Sequence, residues 1–142
     1  MYGMLDISTS GMIANRIRLT AAAANIANRN AILDENGQVN PYRAKRVFVT
    51  AGDPSASTFE GRSMGVHVSG IEDDTAPPNL RFDPTNPYAY KDGPNTGYVP
   101  EPNVNVVVET MQAMEASRAY EANVSAAEAT KSMLAQALRL IA

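Results

Sequence analysis

Proline placement limits the folds that are open to this 142-residue chain. All nine prolines lie between Pro41 and Pro102, and the flanks 1–40 and 103–142 have none. Because proline disrupts helix interiors and central strands, long helices are expected only in the flanks. The chain therefore divides into an N-terminal helix with its following loop (1–40), a Pro-rich middle with short strands (41–102) and a C-terminal helix (103–142). The two flanking helices are expected to form one core domain.

The first flank is predicted to form a helix from about Ile7 to about Asn28. Large apolar residues recur in it every seven positions: Leu5, Met12, Leu19 and Ile26. This period is typical of a seam that packs against another helix in a coiled-coil-like pair. Asp6 or Ser8 is the expected N-cap. Gly11, which has no side chain, would allow a neighbouring helix to approach closely.

The second flank is predicted to be helical from a cap at Asn103 or Asn105 to the end of the chain. It carries a seven-residue row and intermediate apolar positions: Ala113, Tyr120, Ala127, Leu134 and Ile141, with Val124, Met133 and Leu138. Met111, Met114 and Met133 are expected to pack on a helix face. At 1.5 Å per residue this helix spans about 55 Å against about 33 Å for the first, so it should overhang its partner.

The middle is expected to be rich in loops with short strands over 42–50 and 65–71, where β-type residues alternate in part. Turns are predicted at Asp34–Gly37 and Asp92–Gly93. The segment 73–102 contains seven prolines and is expected to be extended and irregular. The fold class is therefore α+β, mainly α.

Composition argues against several classes of function. The chain has no Cys and one histidine, His67, so disulfides and zinc–thiolate sites are excluded. A net charge of −3 is not typical of a nucleic-acid-binding protein. The run Glu72–Asp74 is read as a solvated strand end, and the acidic turn at Asp34 lacks the ligands of a calcium loop. No enzyme activity, metal site or cofactor is predicted.

Two further patterns bear on location and surface charge. The first residues do not form a basic region followed by an apolar stretch, and no apolar run is long enough to cross a bilayer. The chain is therefore expected to be soluble and to have no cleaved signal peptide. The bases Arg43, Lys45 and Arg46 are expected to face water or the acids of a neighbouring subunit.

Four segments carry a resemblance to a known family. They are STSGMIANRIRLTAAAANIAN (8–28), PYR (41–43), GVHVSGIEDDTAPPNLRFDPTNPYA (65–89) and the block GYVPEPNVNVVVETMQAMEASRAYEANVSAAEATKSMLAQALRLI (97–141). Together they resemble the C-type proximal rod proteins of the bacterial flagellar basal body, within the rod and hook axial family. The family motif residues are Asn25, Asn28, Pro102, Asn103, Asn105, Ser117, Arg118, Tyr120, Glu121 and Asn123. The sequence departs from the family pattern in two places. The threonine that usually follows NIAN is missing from residues 28–31, which end at Ala31, and Asn86 stands where the family usually has a histidine.

The resemblance implies a structural subunit of the proximal rod that assembles helically through its terminal helices and helps transmit motor torque. Implied partners are rod subunits of the B, F and G types, the basal-body membrane ring, the export-gate adaptor and the flagellar type III export apparatus. It implies no nucleic acid and no small-molecule substrate, and a place in the rod within the periplasmic space. An alternative is a small soluble adaptor or export chaperone that binds partners through its C-terminal helix.

The assembly interface is expected on the apolar seams of both terminal helices. Its predicted residues are Leu5, Met12, Leu19, Ile26, Ala113, Tyr120, Val124, Ala127, Met133, Leu134, Leu138 and Ile141. Because these seams lack cover in a single chain, the termini are expected to order fully only when subunits assemble.

Overall fold

The computed structural model describes the backbone of residues 2–141 and the side chains of residues 3–140. Within that part, the elements are α1 (Tyr2–Ala27), β1 (Lys45–Ala51), α2 (Phe59–Met64), β2 (Val66–Asp73), β3 (Asn79–Phe82), β4 (Tyr98–Glu101) and α3 (Val106–Ile141). Long helices therefore flank a middle that holds two small sheets. The prediction of an α+β, mainly α fold is confirmed.

α1 begins earlier than predicted, because it is already helical at Tyr2 rather than at Ile7. The predicted caps are wrong. Ser8 lies inside the helix and is buried. The Asp6 carboxylate accepts hydrogen bonds from the backbone N–H of Thr58 at 3.2 Å and from its hydroxyl at 2.7 Å. Asp6 therefore joins α1 to the middle of the chain instead of ending a helix.

α3 begins where its cap was predicted. The Asn105 side-chain oxygen accepts hydrogen bonds from the backbone N–H groups of Val107 at 3.0 Å and Val108 at 3.3 Å. These are two of the four N–H groups that have no partner within a helix, so Asn105 satisfies them as an N-cap. Pro102, just before it, is buried and cannot continue a helix backwards.

α1 and α3 pack side by side and run antiparallel. Asn25 near the end of α1 contacts Glu109 in the first turn of α3, Arg18 pairs with Glu115, and Gly11 lies against Asn123. By this register, the first described turn of α1 lies level with residues 130–132 of α3. Helices of 26 and 36 residues span about 39 and 54 Å, so α3 extends beyond α1, as predicted.

The closest line between the two helices is built from small and polar residues. On α1 these buried residues are Ser8, Gly11, Ala14, Ala21, Ala22 and Asn25, and on α3 they are Glu109, Ala116 and Thr130. A Cβ on Gly11 would lie 2.8 Å from the Asn123 side-chain oxygen, so the predicted close approach at this glycine is confirmed. Small side chains allow the two backbones to come this near.

The predicted apolar seams flank this line rather than forming it. On α1 the half-buried residues include Leu5, Met12, Leu19 and Ile26, and on α3 they include Ala113, Val124, Ala127 and Leu134. Tyr120, Met133 and Leu138 are exposed. Ile141 ends α3, and its side chain lies outside the described residues. The large residues stay to the sides because the narrow interhelical space admits only small ones.

The first sheet confirms both predicted strands. β1 pairs antiparallel with β2, from Lys45 opposite Asp73 to Ala51 opposite Val66, with a bulge between Phe48 and Val49. The hairpin packs on α1. The turn predicted at Asp34–Gly37 is also confirmed, since the Asp34 carboxylate accepts from two following backbone N–H groups and Gly37 has a φ of 74°.

The expectation that 73–102 is irregular throughout is wrong, because β3 and β4 pair antiparallel within it. Pro100 lies in β4, where a two-stranded sheet leaves an edge that tolerates proline. Phe82 and Tyr98 oppose each other across the pair with ring centroids 5.2 Å apart. α2 was also not predicted; Thr58 caps it by accepting from the Gly61 N–H. Within residues 2–141, no helix has the length and apolar character needed to cross a bilayer.

Candidate functional site

The most fully satisfied polar side chain at the helix pair is Asn25. It is 1% exposed and uses its whole hydrogen-bonding capacity. Its Oδ1 accepts from the Tyr42 hydroxyl at 3.0 Å and the Lys45 N–H at 2.8 Å. Its Nδ2 donates to the Lys45 carbonyl at 3.0 Å and to a Glu109 carboxylate oxygen at 3.1 Å. We call Asn25, Tyr42, Lys45 and Glu109 the polar junction.

The polar junction joins three separate parts of the chain. Asn25 lies near the end of α1, Lys45 begins β1, and Glu109 lies in the first turn of α3. The Asn25 amide bonds both the N–H and the C=O of Lys45, much as a neighbouring strand would. Burial raises the pKa of the Tyr42 phenol, so this group stays a neutral donor to Asn25 across the physiological range. The junction therefore fixes where the hairpin sits relative to both helices.

The motif residues do not gather at one site. Asn25 is in the polar junction, while Asn28 donates to the Ala24 carbonyl at 2.9 Å at the end of α1. Asn123 donates to the Ala119 carbonyl at 2.8 Å and faces Gly11 in the helix pair. The remaining motif positions are Pro102, which is buried, Asn105, the cap, Ser117, which is half-buried, and the exposed Asn103, Arg118, Tyr120 and Glu121.

Large apolar side chains are exposed along α3, away from the small-residue line. Met111, Met114 and Met133 are each at least half exposed, so the expectation that they pack on a helix face is wrong for the single chain. Leu138 is 60% and Leu140 89% exposed near the end of α3. Exposed apolar groups arranged in this way are typical of a surface that meets another protein.

Some of the charged groups of the middle pair with each other. Lys45 pairs with Asp73 at 2.9 Å and Arg46 with Asp74 at 2.6 Å. Lys45, Arg46 and Asp73 are nevertheless exposed, so the expectation that they face water is confirmed, whereas Asp74 is mostly covered. His67 contacts the Gly52 carbonyl through Nδ1 at 2.5 Å. Among residues 3–140, no three His, Asp or Glu side chains come together as a metal site would require.

Sequence reasoning missed Tyr42 and Glu109 as partners of Asn25. Glu109 does leave one signal. Counting back by sevens from Asn123 and Ala116 leads to Glu109, so an acid occupies the row of α3 that faces α1. An acid in such a row requires a polar partner, and Asn25 supplies it.

Comparison with known proteins assigns the family. Residues 95–140 match the family model described as the flagellar basal body rod FlgEFG protein C-terminal. Over 141 residues the chain is 40% identical to the flagellar basal-body rod protein FlgC of Yersinia enterocolitica and 39% identical to that of Escherichia coli O157:H7. Each alignment covers 99% of this chain and 97% of the relative. The chain belongs to the FlgC family of flagellar basal-body rod proteins.

This membership extends to distant relatives. FlgC of Bacillus subtilis is 36% identical over 149 residues, which covers 98% of this chain and 97% of that protein. The chain is thus a structural rod protein of the flagellar basal body, and these relatives give no support to the alternative of an adaptor or export chaperone. The resemblance noted from the four sequence segments is confirmed.

Proposed function

We propose that this rod protein assembles helically with other rod subunits through the exposed apolar faces of α1 and α3, and that it has no catalytic role. The observation that carries the proposal is the apolar surface left on α3, above all Leu138 and Leu140. Burying a leucine contributes about 1.5–3 kcal/mol, so several such contacts are enough to hold neighbouring subunits together. The flanks then form one assembly core, and residues 41–102 form an insert between them.

The more detailed parts of the proposal are inferred from membership of the family. They are a place in the proximal rod within the periplasmic space, transmission of motor torque, and export through the flagellar type III apparatus without a cleaved signal peptide. The proposed partners are rod subunits of the B, F and G types, the membrane ring and the export-gate adaptor. A polar junction that fixes the hairpin to both helices supports a role in transmitting force, because a rigid subunit passes force to its neighbours.

The experiment replaces the chromosomal gene for this protein with one that encodes the Leu138→Asp variant. The matched control strain carries the gene for the Gln136→Asp variant instead. Both residues are exposed on the last turns of α3, and both changes add one negative charge. Only the first replaces an apolar side chain of the predicted interface. We expect Leu138→Asp to abolish swimming and to leave isolated basal bodies without a complete rod. Gln136→Asp is expected to swim.

Export is scored separately by fractionation. We expect both variants to leave the cytoplasm in normal amounts, because both residues are exposed and their substitution should not disturb the fold. Normal swimming of the Leu138→Asp strain would contradict the proposed interface. A wild-type chain that is found only in the cytosol, and never in basal bodies, would contradict the rod assignment itself.

A further inference from the structure

A cleft of about 610 Å³ opens between β1 and the first half of α3. Its walls include Phe48 of β1 and Val108 and Gln112 of α3, and its floor includes Ala21 and Ala22 of α1. Phe48 and Val108 are both exposed, so the cleft presents apolar surface to solvent. The volume falls in the range of about 300–1,000 Å³ that is usual for protein pockets that bury a ligand.

The lining of the cleft also includes a carboxylate, that of Glu109, which forms no ion pair with the described residues. Three bases line it, and each has its own partner: Arg18 with Glu115, Arg46 with Asp74, and Lys45 with Asp73. Glu109 is 9% exposed and accepts a hydrogen bond from the Asn25 amide. It appears in none of the ion pairs among the described residues. A nearly buried carboxylate in this setting favours a ligand that brings positive charge.

The end of α3 has the complementary chemistry. We call residues 131–140 the overhang, since α3 there reaches the level of the first described turn of α1 and then runs past it. Leu134 and Leu138 are one helical turn apart on it, and Leu138 is exposed. Lys131 and Arg139 are the charged residues of this segment, and it contains no acid. The overhang is therefore an apolar, purely basic helix end.

The cleft and the overhang lie toward opposite ends of the same helix pair. Gln112 and Leu138 are 26 positions apart on α3, which corresponds to about 39 Å along the helix axis. A single chain does not bring them together, because the same helix, α3, holds Gln112 and Leu138 this far apart. A second chain shifted along the axis in the same orientation brings its overhang to the cleft, and repetition of this contact builds a polymer rather than a closed dimer.

We propose that the cleft binds the overhang of a second copy of this chain, with Leu138 against Phe48 and Val108 and the overhang cations beside Glu109. This inference rests on the proposed role as an assembling rod subunit and adds which two surfaces meet. It is a head-to-tail contact between different patches, so it differs from a symmetric pairing of two overhangs.

The test uses cysteine cross-linking, which is unambiguous because the natural chain has no Cys. Full-length Leu138→Cys and Gln112→Cys chains, distinguished by mass, are mixed at high concentration under mild oxidation. We expect the mixed disulfide to exceed its statistical share over the two homodimers. An excess of wild-type chain is expected to lower its yield, and an excess of the Leu138→Asp chain, which keeps the cleft but not the apolar overhang, is expected to lower it less.

The matched control is Gln136→Cys mixed with Gln112→Cys. Gln136 is exposed on the overhang but lies on a different face from Leu138, so its mixed disulfide should form several-fold less. Equal yields from the two mixtures, no mixed disulfide above this control, or a predominance of Leu138→Cys homodimers would each overturn the inference. Circular dichroism checks that each variant keeps its helices.

The proposed function is scored independently in cells. If cross-linking fails and Phe48→Asp still enters basal bodies, the head-to-tail contact is wrong while the rod role stands. If the mixed disulfide forms in solution but the wild-type chain is absent from basal bodies, the rod role fails while the contact stands.

Discussion

Asn25→Ala tests the polar junction most directly. The substitution removes four hydrogen bonds at once and leaves Glu109, Tyr42 and both backbone groups of Lys45 without their partner. A buried polar group that loses its partner costs about 1–3 kcal/mol. The bond to Glu109 is buried, whereas the others are partly buried, and water can replace part of what they lose. We therefore expect a loss of about 2–5 kcal/mol in unfolding free energy, below the simple sum.

The matched control is Asn28→Ala, one turn further along the chain. Asn28 donates a single side-chain hydrogen bond, to the Ala24 carbonyl in its own turn, and it is only half-buried. Its removal should cost about 0.5–1.5 kcal/mol. Both variants are compared by urea denaturation followed by circular dichroism. Unfolding free energies that agree within error would refute the idea that Asn25 holds the two helices and the hairpin in place.

Asn25→Asp separates hydrogen bonding from shape. The aspartate keeps an oxygen that can accept from Tyr42 and Lys45, but it replaces the donor to Glu109 with a second carboxylate. Two like charges at this distance disfavour ionisation and raise the folded-state pKa of the pair. The stability lost at neutral pH should therefore return partly as the pH falls toward about 4. A deficit that is independent of pH would contradict this explanation.

Three further predictions concern the contacts around the helix pair. Gly11→Leu should cost about 1–3 kcal/mol through overpacking against Asn123, and Asn123→Ala in the same chain should restore part of it in urea denaturation; no rescue would contradict the close contact. The hydrogen bond from Thr58 lowers the pKa of Asp6, so its contribution is present above the normal carboxyl pKa near 4 and is lost as the pH falls through the lowered value. Asp6→Asn should abolish this acid dependence in a pH series of thermal unfolding. The raised pKa of Tyr42 gives a contribution that is complete below about pH 10 and lost above it, and Tyr42→Phe should remove that alkaline loss.

The parts of the fold that depend on local chemistry could be predicted from the sequence. Asn105 after Pro102 specifies the start of α3, because a side-chain acceptor and a helix breaker act within a few residues of each other. The strands β1 and β2 follow from alternation of β-type residues. The β3–β4 pair could not be predicted, because a proline such as Pro100 argues against a strand. Only the structure, in which Pro100 lies opposite Leu80, shows that the edge of this two-stranded sheet accommodates the proline ring.

The candidate site was less predictable because its partners are far apart in the chain. Asn25 was identified from a motif, but its hydrogen bonds reach 84 positions to Glu109. No local pattern encodes such a distance. Asp6 shows the same difficulty: the sequence suggested a cap, whereas the structure uses the carboxylate to hold Thr58, 52 positions away.

The apolar pattern has a different meaning in the structure from the one that the period suggested. A row of large residues at every seventh position usually marks the contact line between two helices. Here small and polar residues form that line, and residues such as Leu19 and Leu134 lie beside it. Close packing of small residues lets α1 and α3 hold each other without consuming all their large apolar side chains. The single chain is therefore joined by contacts that differ from those it offers to neighbours, so a substitution such as Leu138→Asp can weaken assembly while the subunit itself stays folded.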